Sequence, residues 1–300
     1  MISTIDFADR LSAYNIFDGA PKNLIPAAGF ETISINAKLF TDYAYKQRLI
    51  KVPYGTQLKK SPDHALEFPN GTLLTKTFYY YNDERDTSQG RNIIETRLLI
   101  KEAGNWNAAT YRWNDMQTDA ILEKNGYEKQ ISWINQMGHT RTTSYKIPTS
   151  NECIACHLSN QSVIPLGATI KNLNTLIKQN NKTINQLIHF QNIRILNDFP
   201  VWDAPFMVDY NDPDASLSDR GRAYLAINCA HCHNPTAWDI PSLQGFDFRY
   251  ETPFHQTGIF FEQEEIIRNV SNQRMPFIGT TMHDEEGVTL LLNYIQSLQN

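Results

Sequence analysis

Leu73-Leu74-Thr75-Lys76-Thr77-Phe78-Tyr79-Tyr80-Tyr81 is dense in aromatic and β-branched side chains and reads as an extended strand. The polar turn Asn82-Asp83-Glu84-Arg85 follows, and then a second run of the same kind, Ile93-Ile94-Glu95-Thr96-Arg97-Leu98-Leu99-Ile100. The Gly-containing turn Glu102-Ala103-Gly104-Asn105 leads to a third strand around Ala109-Thr110-Tyr111-Arg112-Trp113. The alternation of apolar and polar positions is imperfect in all three. Residues 1 to about 150 are therefore expected to be mostly β, with Ser12 or Asp18 bordering short helical pieces. Tyr145-Lys146-Ile147-Pro148 continues as extended chain.

Beyond that point the period changes. Ile170, Leu173, Leu176 and Ile177 keep a helical spacing, and Ile184, Leu187, Ile188 and Ile195 resume it after Asn180-Asn181. Residues 168–197 are expected to be helical. The stretch 198–214, with Pro200, Pro205 and Pro213, reads as a connector. Ser216 or Ser218 caps a helix running to about Asn228, and an irregular segment covers 234–262. A short helix follows over Glu262–Asn269. Asp284 caps a last helix through Leu298, with Val288, Leu291, Leu292, Ile295 and Leu298 on its apolar side.

All four cysteines belong to two copies of one pattern, Cys153-Ile154-Ala155-Cys156-His157 and Cys229-Ala230-His231-Cys232-His233. C-x-x-C-H is the attachment signature of c-type haem. Its thiols bond to the macrocycle and its His takes one axial position on the iron. With no cysteine left over, the pattern implies two covalently bound haem c groups, with His157 and His233 as iron ligands. Other chemistries fit the pattern less well. A zinc ribbon would want its cysteine pairs closer in sequence and gives no reason for a His after each. A thioredoxin-like motif needs one pair, not two. A disulfide across two intervening residues would staple little chain.

The 300 residues suit two domains better than one. A net charge of −5 without a basic block argues against nucleic-acid binding. No run of about 18 apolar residues is present, so no transmembrane segment is expected, which leaves room for peripheral or lipid-anchored membrane association. Met1-Ile2-Ser3-Thr4-Ile5-Asp6 is not a signal peptide. Haem c is attached outside the cytoplasm, so a periplasmic or other extracytoplasmic location implies a leader that was removed or a chain start set too late.

Residues 216–300 resemble a class I cytochrome c domain. Such domains cross the helix before C-x-x-C-H against the last helix through a small residue and an aromatic, here Gly221 and Tyr294. The resemblance implies that Met275, in Arg274-Met275-Pro276-Phe277, is the distal ligand of the second haem, with Met282 as substitute. Leu39-Phe40-Thr41-Asp42-Tyr43-Ala44, Phe68-Pro69-Asn70-Gly71-Thr72, Glu95-Thr96-Arg97-Leu98-Leu99, Tyr111-Arg112-Trp113-Asn114-Asp115 and Tyr224-Leu225-Ala226-Ile227-Asn228-Cys229 are similar to a bacterial family of diheme c-type cytochromes. The β-rich half also resembles cytochrome P460, whose macrocycle-linked lysine corresponds to Lys76. Together these imply an α+β chain: a β-rich domain over 1–165 ending in the first motif, a helical connector over 166–213, and an all-α class I cytochrome c domain over 214–300.

For the first haem the distal candidates are Met207, Met137, His139, His189 or an open position. His231 sits inside its motif and is expected to point away from iron. Each proximal His is expected to donate its second ring N–H to a backbone carbonyl, for His233 on the loop holding Pro235 and Pro241. His64 and His255 read as surface or loop residues. The expected function is one-electron transfer with a redox partner protein or a small-molecule donor or acceptor. The rivals are a haem enzyme, peroxidase-like or P460-like, with an open first haem wired to the second, and a diatomic gas-binding module.

Overall fold

The computed structural model describes residues 5–61, 64–237 and 245–299. Along the chain the strands are β1 (Glu31–Thr32), β2 (Tyr45–Lys51), β3 (Lys59–Lys60), β4 (Leu66–Glu67), β5 (Leu73–Tyr81), β6 (Arg91–Glu102), β7 (Asn105–Trp113) and β8 (Ala120–Glu123). β9 (Tyr127–Ile134) and β10 (Thr140–Ile147) follow, then the short pairs β11 (Leu158–Ser159) with β12 (Ser162–Val163) and β13 (Leu176–Gln179) with β14 (Lys182–Asn185). The helices are α1 (Ser150–His157), α2 (Ile170–Leu173), α3 (Gln186–Asn192), α4 (Leu217–Asn228), α5 (Gln263–Ser271) and α6 (Glu285–Ser297).

The frame is a six-stranded antiparallel sheet in the order β1-β2-β5-β6-β7-β8. The three strands expected from sequence are all in it. The β6–β7 hairpin turns on Ala103 and Gly104, both at positive φ (47° and 80°). That two-residue geometry matches the twist of paired strands. Alternation was weak because both faces of the sheet are covered. One face packs Leu49, Leu73, Ile93, Leu98 and Tyr111 against Leu11, Ile16, Leu24 and Phe30. The other carries two apolar clusters. One gathers Ile50 and Leu74 with Ile170, Leu187 and Phe190, the other Phe78 and Tyr80 with Ile131, Trp133 and Tyr145. A strand with neighbours above and below has no solvent side to mark with polar residues.

Two expectations are corrected. The first is the helix over 168–197. α2 is one turn long, and Asn180 and Asn181, at φ 49° and 61°, close the hairpin β13–β14 before α3 begins. Short apolar runs fit a helix and a strand equally well, and the paired left-handed asparagines decide for the hairpin. The second is the fold class. A β-rich half followed by an all-α class I cytochrome c domain is not what the chain forms. It is 24% helix and 28% strand, built on the six-stranded antiparallel sheet and several small ones. Residues 214–300 do not close a helical core by themselves. Ala37, Met207 and Tyr210 are buried in the same cluster as Leu225, Leu291 and Tyr294. Phe40 N–H donates to the Asn228 side chain (2.8 Å) and Tyr210 Oη to the Lys38 carbonyl (2.6 Å).

The helix ends do follow the sequence. The Ser216 side chain caps α4 by accepting from Asp219 N–H, and Asp284 caps α6 by accepting from Gly287 N–H. α4 and α6 cross through a reciprocal exchange of glycine and tyrosine. A Cβ on Gly221 would lie 2.3 Å from Tyr294 Cγ, and one on Gly287 would lie 2.2 Å from Tyr224 Cε2. Each glycine thus lets the opposing ring rest on helix backbone. Gly221→Ala is expected to push the helices apart at a cost of about 1–3 kcal/mol, lowering the thermal midpoint by several degrees. An unchanged melt would mean that the crossing is looser than this packing.

Candidate functional site

The first motif begins where β10 ends. Thr149 and Glu152 form a reciprocal capping box that starts α1 immediately before Cys153. The helix carries Cys153, Cys156 and His157, and the chain then doubles back through β11 and β12 over Asn160 and Gln161, both at positive φ. That return brings the Ile164 carbonyl to His157 Nδ1 at 2.7 Å, so Nδ1–H donates and Nε2 is left free. The backbone acceptor expected for a proximal histidine is therefore present at the first motif. Burial holds the imidazole neutral, pulling its pKa down to about 4.

The second motif starts at the C-terminus of α4. Cys229 caps the helix by donating to the Leu225 carbonyl, and His233 N–H turns back to the Cys229 carbonyl at 2.9 Å. The His233 ring packs against Phe246 and Phe248, each with its centroid 5.3 Å away. Burial pulls this imidazole down to about 4 as well. Its Nδ1 is shielded and meets no acceptor among the described residues. Pro235 does not supply one there, and Pro241 lies outside the described residues.

The two motifs meet. The Cys156 and Cys232 thiols and a ring nitrogen of His231 lie within 4.8 Å of one another. A hydrogen bond from the Cys156 thiol to Cys232, with burial, pushes Cys156 up to about 12, and the same bond lowers Cys232. All four cysteines are free thiols. Two further contacts tie the loops together: Ser159 Oγ to Thr236 Oγ1 at 2.9 Å, and Asn160 N–H to the Thr236 carbonyl at 3.2 Å. The His231 ring faces the Cys156 and Cys232 thiols.

A cavity of about 360 Å³ opens beside this junction, within the size range of cofactor sites. One wall is the sheet, contributing Arg48, Lys76, Arg97 and Thr110, with Cys153, Cys156 and His157 at its edge. The opposite wall comprises Tyr224, Asn228, His231 and Val288 with the segment 275–284. Asp42 ties that segment to the sheet side. Its carboxylate accepts from Thr281 N–H and Met282 N–H, both at 2.8 Å, and from Thr281 Oγ1 at 3.0 Å. Burial raises its pKa above the ordinary aspartate range.

Met275, Met282 and His283 line the cavity together with Cys153, Cys156 and His157 of the first motif; of the second motif only His231 lines it, and His233 does not. Met207 is 3% exposed, is buried in the apolar cluster with Tyr210 and Tyr224, and is not among the cavity's lining residues. His189, on α3, reaches Glu31 at 3.4 Å. Met137 and His139 are exposed on the β9–β10 turn, and His64 and His255 are exposed as expected. Lys76, singled out by one resemblance, does face the cavity. Sequence reading missed Arg48 and Asp42. Arg48 is one of three cations in the strand Tyr45–Lys51, with Lys46 and Lys51, and its place beside Lys76 is visible only once the strand's partners are known. No family model, no curated protein and no solved structure matches this chain.

Proposed function

We propose that this chain is an extracytoplasmic cytochrome that holds two covalently attached haem c groups and transfers single electrons. The observation that carries the reading is the convergence of two C-x-x-C-H motifs, distant in sequence, with Cys156 against Cys232. An electron carrier with two centres needs them close, and this fold brings their attachment points together. The residues fit the group. Both motifs keep free thiols, both histidines are held neutral, and His157 has Nδ1 anchored and Nε2 available. When bound, haem supplies reversible one-electron chemistry at a potential set by its ligands and surroundings.

The chain's own residues divide the remaining work. Cys153, Cys156, Cys229 and Cys232 are the anchors. Ile164 orients His157, and Phe246 and Phe248 hold the His233 ring. Met275 remains the candidate distal ligand of the second iron, although it lines the cavity with His157 rather than with His233. The partner is a redox protein or a small-molecule electron donor or acceptor. No described helix is long and apolar enough to cross a membrane.

One observation favours a second reading, a haem enzyme or gas-binding site. None of the first-haem candidates Met207, Met137, His139 and His189 lines the cavity; the groups that share it with His157 are Met275, Met282 and His283, and an open first haem requires that they leave its iron free. Denatured protein should retain two haems by pyridine haemochrome assay. The double substitutions Cys153→Ser/Cys156→Ser and Cys229→Ser/Cys232→Ser should each remove one. Tightly held zinc with no haem would overturn the proposal, and Cys156, His231 and Cys232 are the donors it would use. CO binding to one haem per reduced chain would favour the open-site reading, and refusal of CO by both haems would favour the plain carrier.

A further inference from the structure

Arg48, Lys76 and Arg97 lie directly opposite one another on three neighbouring strands. Arg48 pairs with Lys76 across β2–β5, Lys76 with Arg97 across β5–β6, and Arg97 with Thr110 across β6–β7. All four line the cavity, so the sheet presents an unbroken cross-strand row of three cations and a hydroxyl. The row runs between two apolar clusters, with Ile50 and Leu74 on one side and Phe78 on the other. Like charges directly opposite in a sheet destabilise it. The described acids offset little of this. Glu95 takes Arg97 in a two-pronged pair (2.9 and 2.6 Å), whereas Asp42 is engaged by Thr281 and Met282 and Glu152 by Lys146. Arg48 Nη2 is shut off from solvent without a hydrogen-bond partner. Lys76 Nζ rests 5.0 Å from the Phe78 ring centroid, with no hydrogen-bond acceptor among the described residues.

We propose that Arg48, Lys76 and Arg97 form a receptor for carboxylate in the cavity floor, beside the first motif. A carboxylate supplies what the row lacks: negative charge, and acceptors for an arginine fork and an ammonium at once. Burial, followed by the charges of Arg48, Lys46 and Arg97, pushes the Lys76 ammonium well below its ordinary value, the direction expected of a cation awaiting an anion. The carboxylate has two sources. One is a propionate of the haem proposed for the first motif, and to that extent the inference rests on the reading above. The other is a diffusible carboxylate ligand.

The test uses the purified full-length protein and its Lys76→Gln and Arg48→Gln variants, with acetate as probe and chloride at equal ionic strength as control. If a propionate fills the receptor, acetate leaves the native melt unchanged. Both variants then lower the midpoint potential of one haem, because losing a nearby positive charge favours ferric iron. If the ligand is diffusible, acetate raises the native melting midpoint saturably and chloride does not. Acetate affinity then falls roughly tenfold or more in Lys76→Gln, as expected for one lost charge-assisted hydrogen bond. The proposal is overturned if acetate behaves like chloride and neither haem potential moves, whichever way the variants shift the melt. Should the chain carry no haem, the functional reading fails by haem assay, and the acetate arm still decides the receptor.

Discussion

Glu95→Ala is expected to destabilise the protein by about 3–5 kcal/mol, a large fraction of the stability of an ordinary domain. The Glu95 side chain is fully buried on β6. It accepts from Arg97 Nε at 2.9 Å, from Arg97 Nη2 at 2.6 Å and from Tyr145 Oη at 2.7 Å. Truncation removes the one carboxylate that, among the described residues, pairs with the cationic row, and leaves Arg97 unpaired opposite Lys76. It also strands a buried tyrosine hydroxyl, and a lone buried charge costs far more than the pair was worth. Glu95→Gln keeps the volume and one acceptor and should lose less. Adding Lys76→Gln to Glu95→Gln should recover part of the loss, since it removes a like charge from the same row. Urea unfolding followed by circular dichroism measures all three. A Glu95→Ala midpoint equal to the native one would show that the pair contributes nothing.

Asp42→Ala is the second large effect, about 2–4 kcal/mol from charge-assisted bonds and orphaned amides. Asp42 is 2% exposed and receives three hydrogen bonds from Thr281 and Met282. Its own carbonyl accepts from Tyr80 Oη at 2.7 Å. Asp42 and Tyr43 are both left-handed, at φ 50° and 62°, a conformation that Asp and Asn tolerate better than Ala. Alanine therefore loses the anchor and strains the backbone, while Asp42→Asn keeps the conformation and an acceptor oxygen and should cost roughly half as much or less. The segment released is the one that brings Met275 to the cavity. If Met275 ligates iron, Asp42→Ala should also weaken the Met–iron charge-transfer band at the red edge of the visible spectrum. Melting and spectrum both unchanged would mean that the segment is held elsewhere.

The parts legible in the sequence are those decided by residues a few positions apart. β5, β6 and β7 fall on the three quoted runs because aromatic and β-branched side chains favour extended chain wherever they cluster. Ser216 and Asp284 start their helices because a cap needs only its own first turn. The Gly221–Tyr294 crossing was carried by a resemblance, and the packing bears it out even though the domain class attached to it does not stand. The two motifs are likewise local: five residues specify each.

What the tertiary structure decided lies across strands and between distant segments. Nothing near Lys76 announces Arg48 and Arg97, since cross-strand neighbours are set by register, and register depends on the turns and packing of the whole sheet. Nothing in the sequence marks Asp42 as an anchor until the fold brings Thr281 and Met282 to it. The hairpin at 176–185 escaped because short apolar runs carry both periods at once. The meeting of Cys156 with Cys232 follows from where α1 and α4 end in space. Sequence thus determined which groups are available for chemistry. Only tertiary packing determined that they share one junction, with a row of cations along the cavity beside it.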